Sequence, residues 1–64
     1  MKVNGKEMNL EDGITIEELL SKIKINKDRV VVEVDGVIVI KDEFSSFKLK
    51  ENNTIEVVSF VGGG

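Results

Sequence analysis

A chain of 64 residues with 41 % hydrophobic and 33 % charged side chains makes one small domain with a core of its own, a balance that fits neither a disordered tail nor a membrane span. Twelve acidic against nine basic residues leave a net charge of −3, with no Trp or Tyr to stack on bases; the sign is wrong for a phosphate backbone, and a protein partner is expected to present a basic or apolar surface. Histidine and cysteine are both absent, which excludes disulfides, thiolate metal sites, cysteine nucleophiles and imidazole bases, and suits a reducing, cytoplasmic location.

The opening MKVNGKEMNL alternates Met1 and Val3 with polar neighbours, turns through Asn4-Gly5 and resumes the alternation at Met8 and Leu10. This pattern predicts a β-hairpin. The same stretch lacks the apolar run of a secretory signal, and the most apolar segment, Val30 to Ile40, is interrupted by Glu33, Asp35 and Gly36, so no membrane segment is expected. After Asp12-Gly13 the period changes. Ile16, Leu19, Leu20 and Ile23 fall at i, i+3, i+4 and i+7 and share one helical face. Thr15 is placed to cap that helix, Glu18 to reach back to the cap, and Ile14 to pack on Leu19 across it. Lys22 and Lys24 lie where positive charge complements the helix dipole, and Asn26 is expected to take the left-handed conformation that ends the helix. These signals predict a helix over residues 16 to 25, its apolar face lying across a sheet.

Val30, Val32 and Val34 alternate with Val31, Glu33 and Asp35, and Asp35-Gly36 turns the chain into Val37-Ile38-Val39 as a second hairpin. KDEFSSFKLKENN reads as a connecting segment with Phe44 and Phe47 tucked inward, a brief strand near Lys48 to Lys50 and a turn at Asn52-Asn53. TIEVVSF, rich in β-branched residues, predicts the last strand. With no proline and no internal repeat to mark a linker, the expectation is one α+β domain over residues 1–60, followed by a flexible glycine tail at 61–64.

Side-chain chemistry is scarce. Ser21, Ser45, Ser46 and Ser59 have no histidine to activate them. The carboxylate pairs Glu11-Asp12, Glu17-Glu18 and Asp42-Glu43 are adjacent in sequence, and neighbours on a helix point about 100° apart, which suits capping and solvated charge better than a shared reaction centre. The glycines at 62 to 64 follow a strand but open no helix and precede no Lys-Ser/Thr, so they do not form a phosphate loop. No catalytic and no metal-binding residue is assigned.

The stretch SFVGGG at 59 to 64 calls for another kind of chemistry. A glycine run at a terminus is what a frayed end looks like, but this one follows a strand directly. If Ile55 and Val57 face the helix, alternation sends Glu56, Val58 and Phe60 to the opposite side of the sheet. There Val58 and Phe60, with Val61 and with Val31 of the neighbouring strand, would form an apolar docking patch beside the tail; the other arrangement has Phe60 folding back over an edge of the core. Glycine, lacking Cβ, fits a tunnel too narrow for side chains and adopts nearly any φ and ψ. A Gly-Gly carboxylate presented this way can thread into a partner's active site and attack an activated phosphate, giving an acyl-adenylate.

The ββα-hairpin-strand order, the opening VNGKEM hairpin and the closing IEVVSFVGGG together resemble the β-grasp, ubiquitin-like sulfur carriers of the ThiS/MoaD family, and within it the carriers of thiamin thiazole biosynthesis. The resemblance covers the whole chain. It implies a mixed five-stranded sheet packed on one α-helix, and a protein co-substrate, not an enzyme. Gly64 would be the residue adenylated and converted to a thiocarboxylate, Gly63 its slender neighbour, and Gly62 a third glycine compatible with the pattern. The implied partners are a ThiF-like adenylating enzyme that uses ATP and Mg²⁺, sulfur released from cysteine by a desulfurase, and a ThiG-like thiazole synthase; the chain itself would bind no cofactor. The same features are compatible with a MoaD-like small subunit of molybdopterin synthase, with a ubiquitin-like protein modifier, and with a plain binding module whose glycines are inert.

Overall fold

The computed structural model describes residues 1–60. Two short strands, β1 (Lys2–Val3) and β2 (Lys6–Glu7), form the first hairpin, followed by helix α1 (Ile16–Lys22). A 3-10 turn at Lys27–Arg29 leads into β3 (Val30–Val34) and β4 (Val37–Val39), and a second 3-10 turn at Lys41–Glu43 precedes β5 (Thr54–Ser59). Both hairpins turn where their sequences demand it. Asn4 and Gly5 have φ of 51° and 82°, and Asp35 and Gly36 have φ of 51° and 84°, the paired left-handed conformations of a turn whose twist matches its strands.

The sheet order is β2-β1-β5-β3-β4. β5 runs parallel to β1 and antiparallel to β3, while the two hairpins are antiparallel. The result is the mixed five-stranded sheet on one helix that was expected, with the last strand at its centre. Ile16, Leu19 and Leu20 of α1 meet Val3, Val32 and Ile55 in one apolar cluster, and every buried side chain among the described residues is apolar.

At the helix start the capping box forms as the sequence indicates. The Glu18 N–H donates to the Thr15 hydroxyl at 3.1 Å, and the Thr15 N–H donates to the Glu18 carboxylate at 3.0 Å. Ile14 and Leu19 are both buried in the core on either side of it. The helix end differs from the expectation. α1 stops at Lys22, with Ile23 as its C-cap, and the left-handed residue is Lys24, at φ 59°, instead of Asn26. The Lys24 N–H donates to the Ser21 carbonyl and the Ile25 N–H to the Leu20 carbonyl, the two bonds of a Schellman motif. Ile25 packs against the core, so burial of the residue after the stop decides where the helix ends. Asn26 instead caps the following 3-10 turn, its side chain accepting from the Asp28 N–H at 2.8 Å.

The connecting segment also differs in one respect. Phe44 is buried and Phe47 packs partly buried on the core, as expected. The brief strand expected near Lys48 to Lys50 is reduced to an isolated bridge between Thr15 and Lys48. Its partner cannot extend the ladder, because Thr15 is the helix cap and the chain beyond it coils away. Leu49 is nevertheless fully buried, and its backbone exchanges 2.7 Å hydrogen bonds with Gly13 and Ile14.

Candidate functional site

β5 lies between β1 and β3, so the side chains along it are sorted by period two onto two faces. Ile55 and Val57 point into the core, and Val58 and Phe60 stand on the outer face at 57 % and 47 % exposure. Phe60 does not fold over the edge of the core. Its N–H donates to the Arg29 carbonyl at 2.9 Å, holding the chain against the start of β3 as far as residue 60. Val31, 39 % exposed, is the direct cross-strand partner of Val58.

The patch is wider than the sequence reading indicated. Val32 pairs with Val39 in the β3–β4 hairpin, so the same antiparallel register sets Ile40 opposite Val31 on the outer face. Ile38 is the cross-strand partner of Glu33. Ile38 and Ile40 are 62 % and 58 % exposed. An apolar row Ile40, Val31, Val58 therefore crosses three strands, with Phe60 beside it. The signal for Ile38 and Ile40 was present in the sequence, since a two-residue turn at Asp35-Gly36 dictates which side of β4 faces outward. Exposed apolar residues gathered in this way have the character of a docking surface.

Of the residues expected to act in this region, Val58 and Phe60 are brought together with Val31 on the outer face. Val61, Gly62, Gly63 and Gly64, and with them the expected tail at 61–64, lie outside the described residues.

Glu17, Glu18 and Asp12 of the acidic pairs serve the fold. Glu17 accepts from the Lys27 ammonium at 2.6 Å, Glu18 closes the capping box, and Asp12 accepts from the Glu51 N–H at 2.8 Å. Hydrogen bonding from the Thr15 backbone holds the Glu18 carboxyl below its ordinary value. The hydrogen bond from Lys41 does the same for Asp28, and the bond to Glu17 raises Lys27. All three groups are solvent-exposed and sit at helical turns. Among the described residues, no cluster of three or more acidic side chains is placed to hold a metal ion, and no helix is long and apolar enough to cross a membrane.

The model of the ThiS family matches residues 1–64. The sulfur carrier protein ThiS of Bacillus subtilis is 34 % identical over 65 residues, a match spanning 100 % of this chain and 98 % of that one. A thiazole synthase of Paramagnetospirillum magneticum is 32 % identical over 62 residues, covering 97 % of this chain, but the chain spans only 19 % of that relative's length. The crystal structure of a thiamine biosynthesis protein (ThiS) from Geobacter metallireducens superposes with a TM-score of 0.83 at 30 % identity, covering 98 % of this chain and 96 % of that one. The shared architecture is the ubiquitin-like β-grasp.

Proposed function

The chain belongs to the ThiS family, and on that premise we propose that it is a sulfur carrier of thiamin biosynthesis, loaded at the main-chain carboxylate of Gly64. The observation that carries this reading is the outward apolar row centred on the Val31–Val58 pair, beside Phe60, on the strand that leads directly to Gly62-Gly63-Gly64. A partner covering that row is positioned to receive the glycines in its own active site.

In the proposed sequence the Gly64 carboxylate attacks the α-phosphorus of ATP. A new P–O bond forms and pyrophosphate leaves, giving an acyl-adenylate on an adenylating partner that supplies ATP and Mg²⁺. Sulfur at the oxidation level of hydrosulfide, derived from cysteine, then adds to the acyl carbonyl. The carbon–oxygen bond to AMP breaks and a thiocarboxylate remains. A thiazole synthase accepts that sulfur for the thiazole ring, a pairing supported by the segment of similar sequence within proteins named thiazole synthase. Gly63 and Gly62 contribute slenderness, since any Cβ there would meet the walls of the channel through which the tail must pass. The reactive group is main-chain, so this chain acts as co-substrate while its partner supplies the catalytic side chains.

Intact mass spectrometry of the chain incubated with the adenylating enzyme, ATP, Mg²⁺ and a sulfur donor tests the proposal. A mass gain equal to one oxygen-to-sulfur exchange, localised to Gly64 by fragmentation, is expected. An unchanged mass, or a sulfur found elsewhere in the chain, overturns it.

A further inference from the structure

The outer face of the sheet carries a second row, parallel to the apolar one and two residues further along the strands. Glu33 of β3 stands directly opposite Glu56 of β5, with Ile38 of β4 on its other side. Two residues of strand rise separate this row from Ile40, Val31 and Val58 by about 6.7 Å. Facing residues in such a ladder have Cβ atoms roughly 5 Å apart, and like charges there destabilise the sheet. Among the described residues neither carboxylate is engaged in an ion pair. The centre of the sheet thus sets two carboxylates, neither of them in an ion pair, face to face beside the exposed apolar row.

That pairing restricts what can cover the face. A second copy of the chain, related by a two-fold axis, would bring four carboxylates onto one interface and add to the net charge of −3 that each copy carries. A partner with a cationic side chain at that point would instead pair with two facing carboxylates that make no ion pair among the described residues. We propose that the adenylating partner inserts a guanidinium or ammonium group between Glu33 and Glu56 while its apolar surface covers Ile40, Val31 and Val58. The two carboxylates are then specificity-determining residues: they steer and register a basic partner and reject an acidic or self-complementary one. This inference rests on the sulfur-carrier reading, because the adenylating enzyme is the partner it describes.

The test compares the full chain with its Glu33→Gln/Glu56→Gln variant in steady-state adenylation, followed by pyrophosphate release, at low and high salt. The amides retain size and polarity but lose charge. The expected result is a KM for the carrier raised about tenfold at low salt, kcat within about twofold, and a KM that no longer climbs with ionic strength as that of the native chain does. Thermal unfolding of the variant is expected at the same temperature or higher, since a repulsion has been removed. A variant KM indistinguishable from the native value at low salt overturns the inference and leaves the carrier function standing, as does a lowered melting temperature, which makes the pair structural. Sedimentation showing a native dimer at the assay concentration, held through Ile40 and Val58, also overturns it. Failure of the native chain to be adenylated at all removes the carrier function, and the inference with it.

Discussion

The Val57 N–H donates to the side-chain oxygen of Asn4 across 2.7 Å, joining residues 53 positions apart. β1 ends at Val3, so the edge of β5 beyond Ile55 would lose its ladder partner there. The Asn4 side chain stands in for a backbone carbonyl and carries the hydrogen bonding one step further along the strand that leads to the glycines. Asn4 also occupies the left-handed region, at φ 51°, which asparagine tolerates better than other residues with a side chain.

The two roles of Asn4 are separable by substitution. Asn4→Gly keeps the turn and removes the side-chain acceptor, at an expected cost of about 1 kcal/mol for a lost hydrogen bond. Asn4→Ala loses the acceptor and adds backbone strain, for a total of about 2 kcal/mol. Urea denaturation of the three proteins measures both steps. Equal stability of the native chain and Asn4→Gly would mean that the side-chain bond contributes nothing.

Lys24 is the clearest strained position in the fold. It holds φ at 59° because Ile25 must reach the core immediately after the helix stops, and the last two hydrogen bonds of the Schellman motif depend on it. Glycine takes this conformation without the steric penalty of a side chain. Lys24→Gly is therefore expected to stabilise the domain by about 0.5 to 1 kcal/mol, after allowing for the greater entropy glycine has when unfolded. Thermal denaturation should show a raised midpoint, and a lowered one would locate the stop elsewhere.

The Thr15–Glu18 capping box makes stability depend on pH. The Thr15 backbone bond, with the Thr15 hydroxyl next, holds the folded-state pKa of Glu18 below its ordinary value. A depressed folded value means the unfolded chain binds the proton more readily, so this contribution is present in full above the ordinary glutamate pKa and is lost as pH falls through the depressed one. Glu18→Gln is expected to flatten that acid-side slope, read as unfolding free energy against pH. Thr15→Ala, which removes the cap itself, should cost about 1 kcal/mol near neutral pH.

How far these features could be read from the chain alone depended on whether their causes were local. The two turns were legible because Asn4-Gly5 and Asp35-Gly36 state their own conformation, and the helix start because Thr15, Glu18 and Ile14 are mutually consistent within five residues. The outward direction of Val58 and Phe60 followed from period two once one face of β5 was assigned. The left-handed position at Lys24 carries no signal of its own, since lysine does not favour that region and only the distant contacts of Ile25 impose it. The strand expected at 48 to 50 failed for a similar reason: its pairing partner is the cap of the helix. The Glu33–Glu56 confrontation requires the register between β5 and β3, a long-range fact that neither segment states.

Adjacent positions on β5 give the sharpest test of which face does what. Val57 is buried and Val58 is exposed, one peptide apart, with similar surroundings in sequence. Val57→Asp puts an unpaired charge into the core and is expected to unfold the domain outright, because burying an uncompensated carboxylate costs several kcal/mol and a domain of this size has little stability to lose. Val58→Asp and Phe60→Asp place the same charge at the half-exposed outer face, so their unfolding free energies should stay within about 1 kcal/mol of the native chain. Adenylation by the partner should nevertheless fall for both. Phe60→Asp is expected to lose more, since Phe60 is the larger apolar side chain and lies closer to the glycines in sequence. Circular dichroism melts and adenylation rates on the same preparations separate the outcomes. A Phe60→Asp protein that melts would return Phe60 to the core, and one that is adenylated at the native rate would remove the outer face from the docking surface.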